Sequence, residues 1–219
     1  MAIFQTNALP LGSSSDGVDR GLFLVASRLN HSCQPNVETR WNAGLGGATV
    51  HATSDIAAGD ELAYSYVAYD TLFSPRAQRR ALLAQGWGFQ CGCAACALEG
   101  DRARQSDARR RALRPMSDAI YESISSVRLE EGVGLVEQML ALLDEEGLAL
   151  PNLRGARAYD AFQGCKHPSK HADVSAHTEA RAWLQCAYVA HRIAEGEDGE
   201  AVVKHAAQLQ RPLTAPHRP

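Results

Sequence analysis

No apolar run in the 219 residues approaches the roughly 20 needed to cross a bilayer, so no membrane partner is expected. The opening residues, MAIFQTNALPLG, lack the basic start and long apolar core of a secretory signal. A nuclear or cytoplasmic setting follows as the expectation, and there the reduced thiol pool disfavours disulfides. Charge of one sign is not in excess either: the net charge is -3 and the pI about 6.2. That weighs against a protein held to nucleic acid by bulk charge, so nucleic acid is not an expected partner. No sequence repeat stands out.

What is present is the composition of an ordinary soluble protein, with 45% apolar and 21% charged residues. At this length roughly 70% of the unfolded surface can be buried, enough for a core. The composition changes near residue 100, from Gly, Asn, Ser and β-branched residues to Ala, Leu, Glu and Arg. Residues 21–29, GLFLVASRL, fit either a buried strand or a short helix. Residues 36–41 and 48–53 alternate weakly around the turn-rich WNAGLGG, which predicts a hairpin. In IAAGDELAYSYV a Gly-Asp turn precedes a short strand.

Residues 74–86 predict a helix with Ser74 as N-cap, Pro75 in the first position and Gly86 at the end. Further helices are expected over about 106–128, 132–147, 155–163 and 174–195, with Val133, Val136, Leu140 and Leu143 on one face of the second. The Pro-rich end, LQRPLTAPHRP, is expected to fray. The arginines around Arg109, Arg110 and Arg111 are best taken as a solvated helix face.

Six cysteines in a reducing compartment point to metal ligands or buried thiols. Cys91, Cys93 and Cys96 form a C-x-C-x-x-C, close enough to converge on one ion. Structural zinc takes four ligands in a tetrahedron, and the natural fourth is Cys33, if the fold brings it near. An all-sulfur site is closed, which favours a structural over a catalytic ion. Cys165, His167 and His171 make a weaker second group, and Cys186 is expected on the apolar face of a helix, packed in the core.

The segment Ser27–Asn36, SRLNHSCQPN, resembles the N-H-S-C-x-P-N signature of SET-domain protein lysine methyltransferases. Gly59-Asp60-Glu61-Leu62 followed by Tyr66 is similar to that family's G-[ED]-E-[LI]-x-x-x-Y element. Trp87-Gly88-Phe89-Gln90 leading into the cysteines resembles its post-SET zinc segment. Three motifs in order, over about residues 20–97, make a specific likeness to the SMYD-like group and its fungal relatives, although no MYND finger is present.

The resemblance implies an α+β fold: a small β-rich C-terminal half of a SET domain with its zinc segment over 1–97, then a helical region over 98–219. It implies a knot-like substructure in which the N-H-S-C stretch and the last strand are threaded together. It also implies S-adenosylmethionine as methyl donor and a lysine side chain of a histone or other protein as acceptor. By the same likeness Tyr66 is the catalytic residue, and Tyr64 lines the lysine channel. Asn30, His31 and Phe89 hold the cofactor, and Cys33, Cys91, Cys93 and Cys96 hold zinc. Glu61 is expected to tie down a loop.

The glycine-rich turn that the family places upstream of N-H-S-C is not found there, so the chain reads as an N-terminally truncated member. The alternative is a zinc-stabilised helical interaction module without catalysis.

Overall fold

A computed structural model of the protein describes residues 2–11, 19–166 and 174–211. His167 and His171 lie outside the described residues, as does most of the Pro-rich end. The chain forms two compact units, Met1–Arg114 with Glu146–Ala149, and Pro115–Glu145 with Leu150–Pro219.

The first unit is the β-containing one. Helix α1 (Ala2–Asn7) leads into β1 (Leu9–Pro10), which pairs antiparallel with β2 (Arg20–Gly21). The apolar stretch that follows is not the buried strand or helix its composition suggests. Only Ala26–Arg28 form a 3-10 turn, and Leu24 and Val25 are 89% and 82% exposed.

Next come β3 (Asn30–His31), β4 (Val37–Asn42), β5 (Gly47–Ala52) and β6 (Ala63–Tyr64). Strands β4 and β5 form the predicted hairpin, with Val37 opposite Ala52 and Asn42 opposite Gly47. Strand β3 pairs in parallel with β6, across more than thirty residues of chain.

A short α2 (Tyr69–Leu72) precedes α3 (Arg76–Trp87). The start of α3 is capped from outside: the Arg76 amide donates to Asp107 Oδ1 at 2.7 Å, and Ser74 does not cap it. Its end is Gly88, two residues past the expected Gly86. Gly88 has φ 76°, the left-handed cap conformation that glycine adopts without strain. Turn α4 (Ala94–Ala97), the start of the long α5 (Gly100–Ser125) and the returning segment Glu146–Ala149 complete the unit. Leu72, Leu83, Leu113 and Leu148 are fully buried in its core.

The second unit is helical. It contains the end of α5, then α6 (Leu129–Glu145), α7 (Pro151–Cys165), α8 (Val174–Glu195) and α9 (Glu200–Leu209). Val133, Val136 and Leu143 of α6 are buried as their spacing predicts, with Leu140 half-buried. Gly155 of α7 lies against the His191 ring of α8; a Cβ there would fall 2.6 Å from it, so only glycine permits this approach. Helix α9 was hidden in the sequence between an acidic glycine turn and the prolines. Cys186 is exposed, contrary to its expected place in the core, because it falls on the outer face of α8.

After α5 the chain turns through Val127, whose φ is 60°. A β-branched residue there is strained, and glycine would relieve about 1–2 kcal/mol. Glycine's own chain entropy takes back about 0.5–1 kcal/mol. Val127→Gly is therefore expected to stabilise the second unit by about 0.5–1 kcal/mol, read as a raised midpoint in denaturant titration. A lowered midpoint would refute that strain.

Candidate functional site

The site is built where β3 meets β6. Asn30 lies opposite Ala63 and His31 opposite Tyr64. The chain then leaves β3 through a tight turn. The Ser32 amide donates to the Tyr64 carbonyl at 3.0 Å, and the Ser32 hydroxyl bridges to Gln34 O at 2.8 Å. Asn36 extends the pairing with its side chain: Oδ1 accepts from the Ala63 amide, and Nδ2 donates to Glu61 O, both at 2.9 Å. Glu61 Oε1 accepts from Asn30 Nδ2 at 2.6 Å. Asn, Ser and Asn at these positions use short amide and hydroxyl groups in place of backbone partners.

This turn drives Cys33 inward until it is fully buried. It arrives beside Cys91, Cys93 and Cys96, and the four sulfurs lie within 4.8 Å of one another. Cys93 caps α4 and Cys96 sits in its single turn, with the Cys96 amide on Cys93 O at 2.8 Å. A tetrahedral ion about 2.3 Å from each sulfur sets them roughly 3.8 Å apart. Cys33 Sγ and Cys96 Sγ are 3.7 Å apart, so the arrangement fits such an ion and could hold one.

Electrostatics favour the same reading. Without a cation the sulfurs must share protons. Cys93 is held low because Cys33 and Cys96 donate to it, and its charge pushes the Cys33 thiol up. Burial pushes Cys91 up to about 12. Only a bound cation lets all four ionise together. Arg79, fully buried on the same face of α3 as Leu83, reaches Cys96 Sγ with Nη2 at 3.9 Å and Ser74 O with Nη1 at 2.6 Å. A guanidinium buried against sulfur makes sense beside thiolates and would be costly beside neutral thiols.

An aromatic cluster lies next to the cysteines. Tyr66, just past β6, has its ring centroid 5.4 Å from His31, 5.0 Å from Tyr64, 5.6 Å from Trp87 and 6.3 Å from Phe89. The Tyr66 hydroxyl donates to Leu29 O at 2.7 Å. Burial first, and then the Glu61 charge, push its pKa up, so it is a neutral phenol at ordinary pH. Tyr64 is pushed up to about 12 by burial and by Tyr66. His31 is driven down to about 4, chiefly by burial. An adenine ring and a sulfonium both suit aromatic faces flanked by a polar edge, and here the edge is Asn30 with Glu61.

All of the residues singled out in the sequence as cofactor, channel, catalytic or zinc groups thus fall in this one region of the first unit. The sequence places Trp87 in a motif without a role, and it does not signal Arg79 or a buried polar network behind Cys33. In that network Arg110 is fully buried, not solvated. Its guanidinium donates to Cys33 O at 3.1 Å, Leu72 O at 2.7 Å and Glu146 Oε1 at 2.7 Å. Gln34 Nε2 donates to Glu146 O at 2.6 Å. The only sequence signal was negative: a run of arginines too dense for one face of a helix to expose them all.

Residues 3–67 match the SET domain family. Across 95% of this chain there is 30% identity, over 210 residues, to "Histone-lysine N-methyltransferase set5" of Schizosaccharomyces pombe, covering 61% of that protein. The chain is a SET-domain relative of the protein lysine methyltransferases. Identity to "Histone-lysine N-methyltransferase SET5" of Yarrowia lipolytica is 39% over 87 residues, 38% of this chain and 18% of that one. To "Protein-lysine N-trimethyltransferase SMYD5" of Mus musculus it is 36% over 81 residues, 37% of this chain and 20% of that one. The chain thus spans less than two thirds of the length of these relatives. The SET match begins upstream of the first recognisable motif and ends at Val67, one residue past Tyr66. Cys33 falls inside it, whereas Cys91, Cys93, Cys96, Trp87 and Phe89 lie beyond it.

Proposed function

We propose that this chain is an S-adenosylmethionine-dependent protein lysine methyltransferase, acting on a histone or other protein in the nucleus or cytoplasm. In this reading residues 1–97 are SET and post-SET sequence carrying structural zinc, and 98–219 a helical C-terminal region. One observation carries the reading: the parallel pairing of β3 with β6 brings Asn30, His31, Tyr64, Tyr66 and Phe89 together at one aromatic site.

S-adenosylmethionine, when bound, supplies a methyl group activated by a sulfonium. The chain must then align a lysine amine with that methyl and keep the amine neutral. A free lysine has a pKa of about 10.4, and a dry channel lowers it by disfavouring the ammonium. The half-buried Tyr64 ring beside Tyr66 suits one wall of such a channel.

Tyr66 does the aligning. Its proton is committed to Leu29 O, so the lone pairs of the phenolic oxygen are left to accept an N–H from the amine. That interaction holds the nitrogen lone pair toward the methyl and strengthens as positive charge moves onto nitrogen. Asn30 and Phe89 would hold the adenosine part, Phe89 by stacking.

The test is transfer of labelled methyl from S-adenosylmethionine to histones and to a lysate, comparing the wild type with Tyr66→Phe. Wild type should label a protein at lysine. Tyr66→Phe should lose about 100-fold in rate, the size of losing one aligned transition-state contact, while cofactor affinity stays within about twofold. Equal rates would remove Tyr66 from the chemistry.

A further inference from the structure

We propose that His31 is a positioning residue that ties the four-cysteine centre to the segment carrying Tyr66, through one imidazole in a fixed tautomer. The inference rests on the readings of the cysteines as a metal site and of Tyr66 as the aligning residue.

The hydrogen bonds leave one solution. The Tyr66 amide can only donate, and it points at His31 Nδ1 from 3.0 Å. Nδ1 must therefore carry a lone pair, and in a neutral imidazole the proton then sits on Nε2. His31 Nε2 lies 3.3 Å from Cys33 Sγ. With Nδ1 used as acceptor, Nε2 is the donor and the sulfur the acceptor. A metal-bound thiolate is the form of Cys33 best suited to take that N–H. The ring itself is buried and wedged against Tyr66 and Phe89, at 5.4 and 6.2 Å between centroids. Where the metal fixes the Cys33 sulfur, the imidazole is fixed too, and with it the backbone from which the Tyr66 side chain springs. A centre with no open position can in this way govern the geometry of the aligning group.

The experiment uses the full chain loaded with NMR-active cadmium, a thiolate-preferring stand-in for zinc, and isotope-labelled histidine. The expected spectrum shows His31 protonated on Nε2, with scalar coupling between that proton and the cadmium through Cys33 Sγ. A proton on Nδ1, or no coupling, with cadmium bound, overturns the bridge while leaving the metal site standing. A chain that takes up no cadmium overturns both.

Two variants separate the ends of the bridge, because glutamine places an N–H near Nε2 and asparagine places an acceptor near Nδ1. His31→Gln should hold cadmium within about twofold of wild type but speed exchange of the Tyr66 amide about tenfold. His31→Asn should keep that amide slow and weaken cadmium binding about tenfold. Equal loss of both properties in both variants would mean that His31 merely fills space.

Discussion

Replacing Cys33 by serine should strip the metal centre about as thoroughly as replacing Cys93, although Cys33 lies some sixty residues upstream of the cysteine cluster. The four sulfurs are within 4.8 Å of one another, and Cys33 is the most deeply buried of them. Structural zinc contributes about 10–16 kcal/mol near neutral pH in small zinc domains. If four ligands share that roughly equally, losing one removes about 3 kcal/mol, or roughly a hundredfold in affinity.

Chelator competition on Cys33→Ser and Cys93→Ser should give losses of that size in both. A Cys33→Ser chain that keeps full zinc occupancy would show that the centre does not use Cys33. The bound ion must also displace protons from thiols that burial holds up, Cys91 at about 12, so retention should fall on acidification.

The second large effect is expected in the polar network behind Cys33, at a residue that supplies no ligand atom. Glu146→Ala should destabilise the first unit by about 3–5 kcal/mol, the usual result of leaving one member of a buried ion pair alone. Glu146 is 3% exposed and meets Arg110 at 2.7 Å, Arg109 at 2.9 Å and the Ser106 hydroxyl. Its loss leaves the fully buried Arg110 with only two carbonyls, Leu72 O and Cys33 O.

Arg110→Met should cost less, because Arg109 and Ser106 remain to satisfy Glu146. The double variant Arg110→Met with Glu146→Ala should recover part of the loss, since an apolar replacement of a buried pair is often close to neutral. Denaturant unfolding of the three variants decides it. Strict additivity would mean that the pair is not coupled, whereas coupling of about 1–3 kcal/mol is expected for groups in contact.

These two networks show where the sequence was legible. The β4–β5 hairpin followed from alternation around a glycine-rich turn, both of them local signals. The end of α3 was misplaced by two residues because Gly86 and Gly88 carry the same local signal, and only the backbone shows which one turns left-handed. Cys33 could be nominated because tetrahedral zinc needs a fourth ligand and the N-H-S-C likeness supplied one.

Arg110 could not be read in the same way. Its partner is thirty-six residues away, beyond α6, and nothing near it signals that a carboxylate will return. The run at 21–29 failed for the opposite reason. Its apolarity signals burial, yet Leu24 and Val25 face outward, and apolar residues on a surface are common. The tautomer of His31 was invisible in the sequence, because it depends on a backbone amide thirty-five residues downstream.

The most direct test of the central claim is calorimetric titration of the zinc-loaded 219-residue chain with S-adenosylmethionine. The site described predicts saturable binding at about one cofactor per chain, kept in Tyr66→Phe and lost when Asn30 and Phe89 are both replaced by alanine. No heat of binding from a folded, zinc-loaded chain would contradict it, and would leave the four-cysteine centre as scaffold for a chain without a methyl donor site of its own.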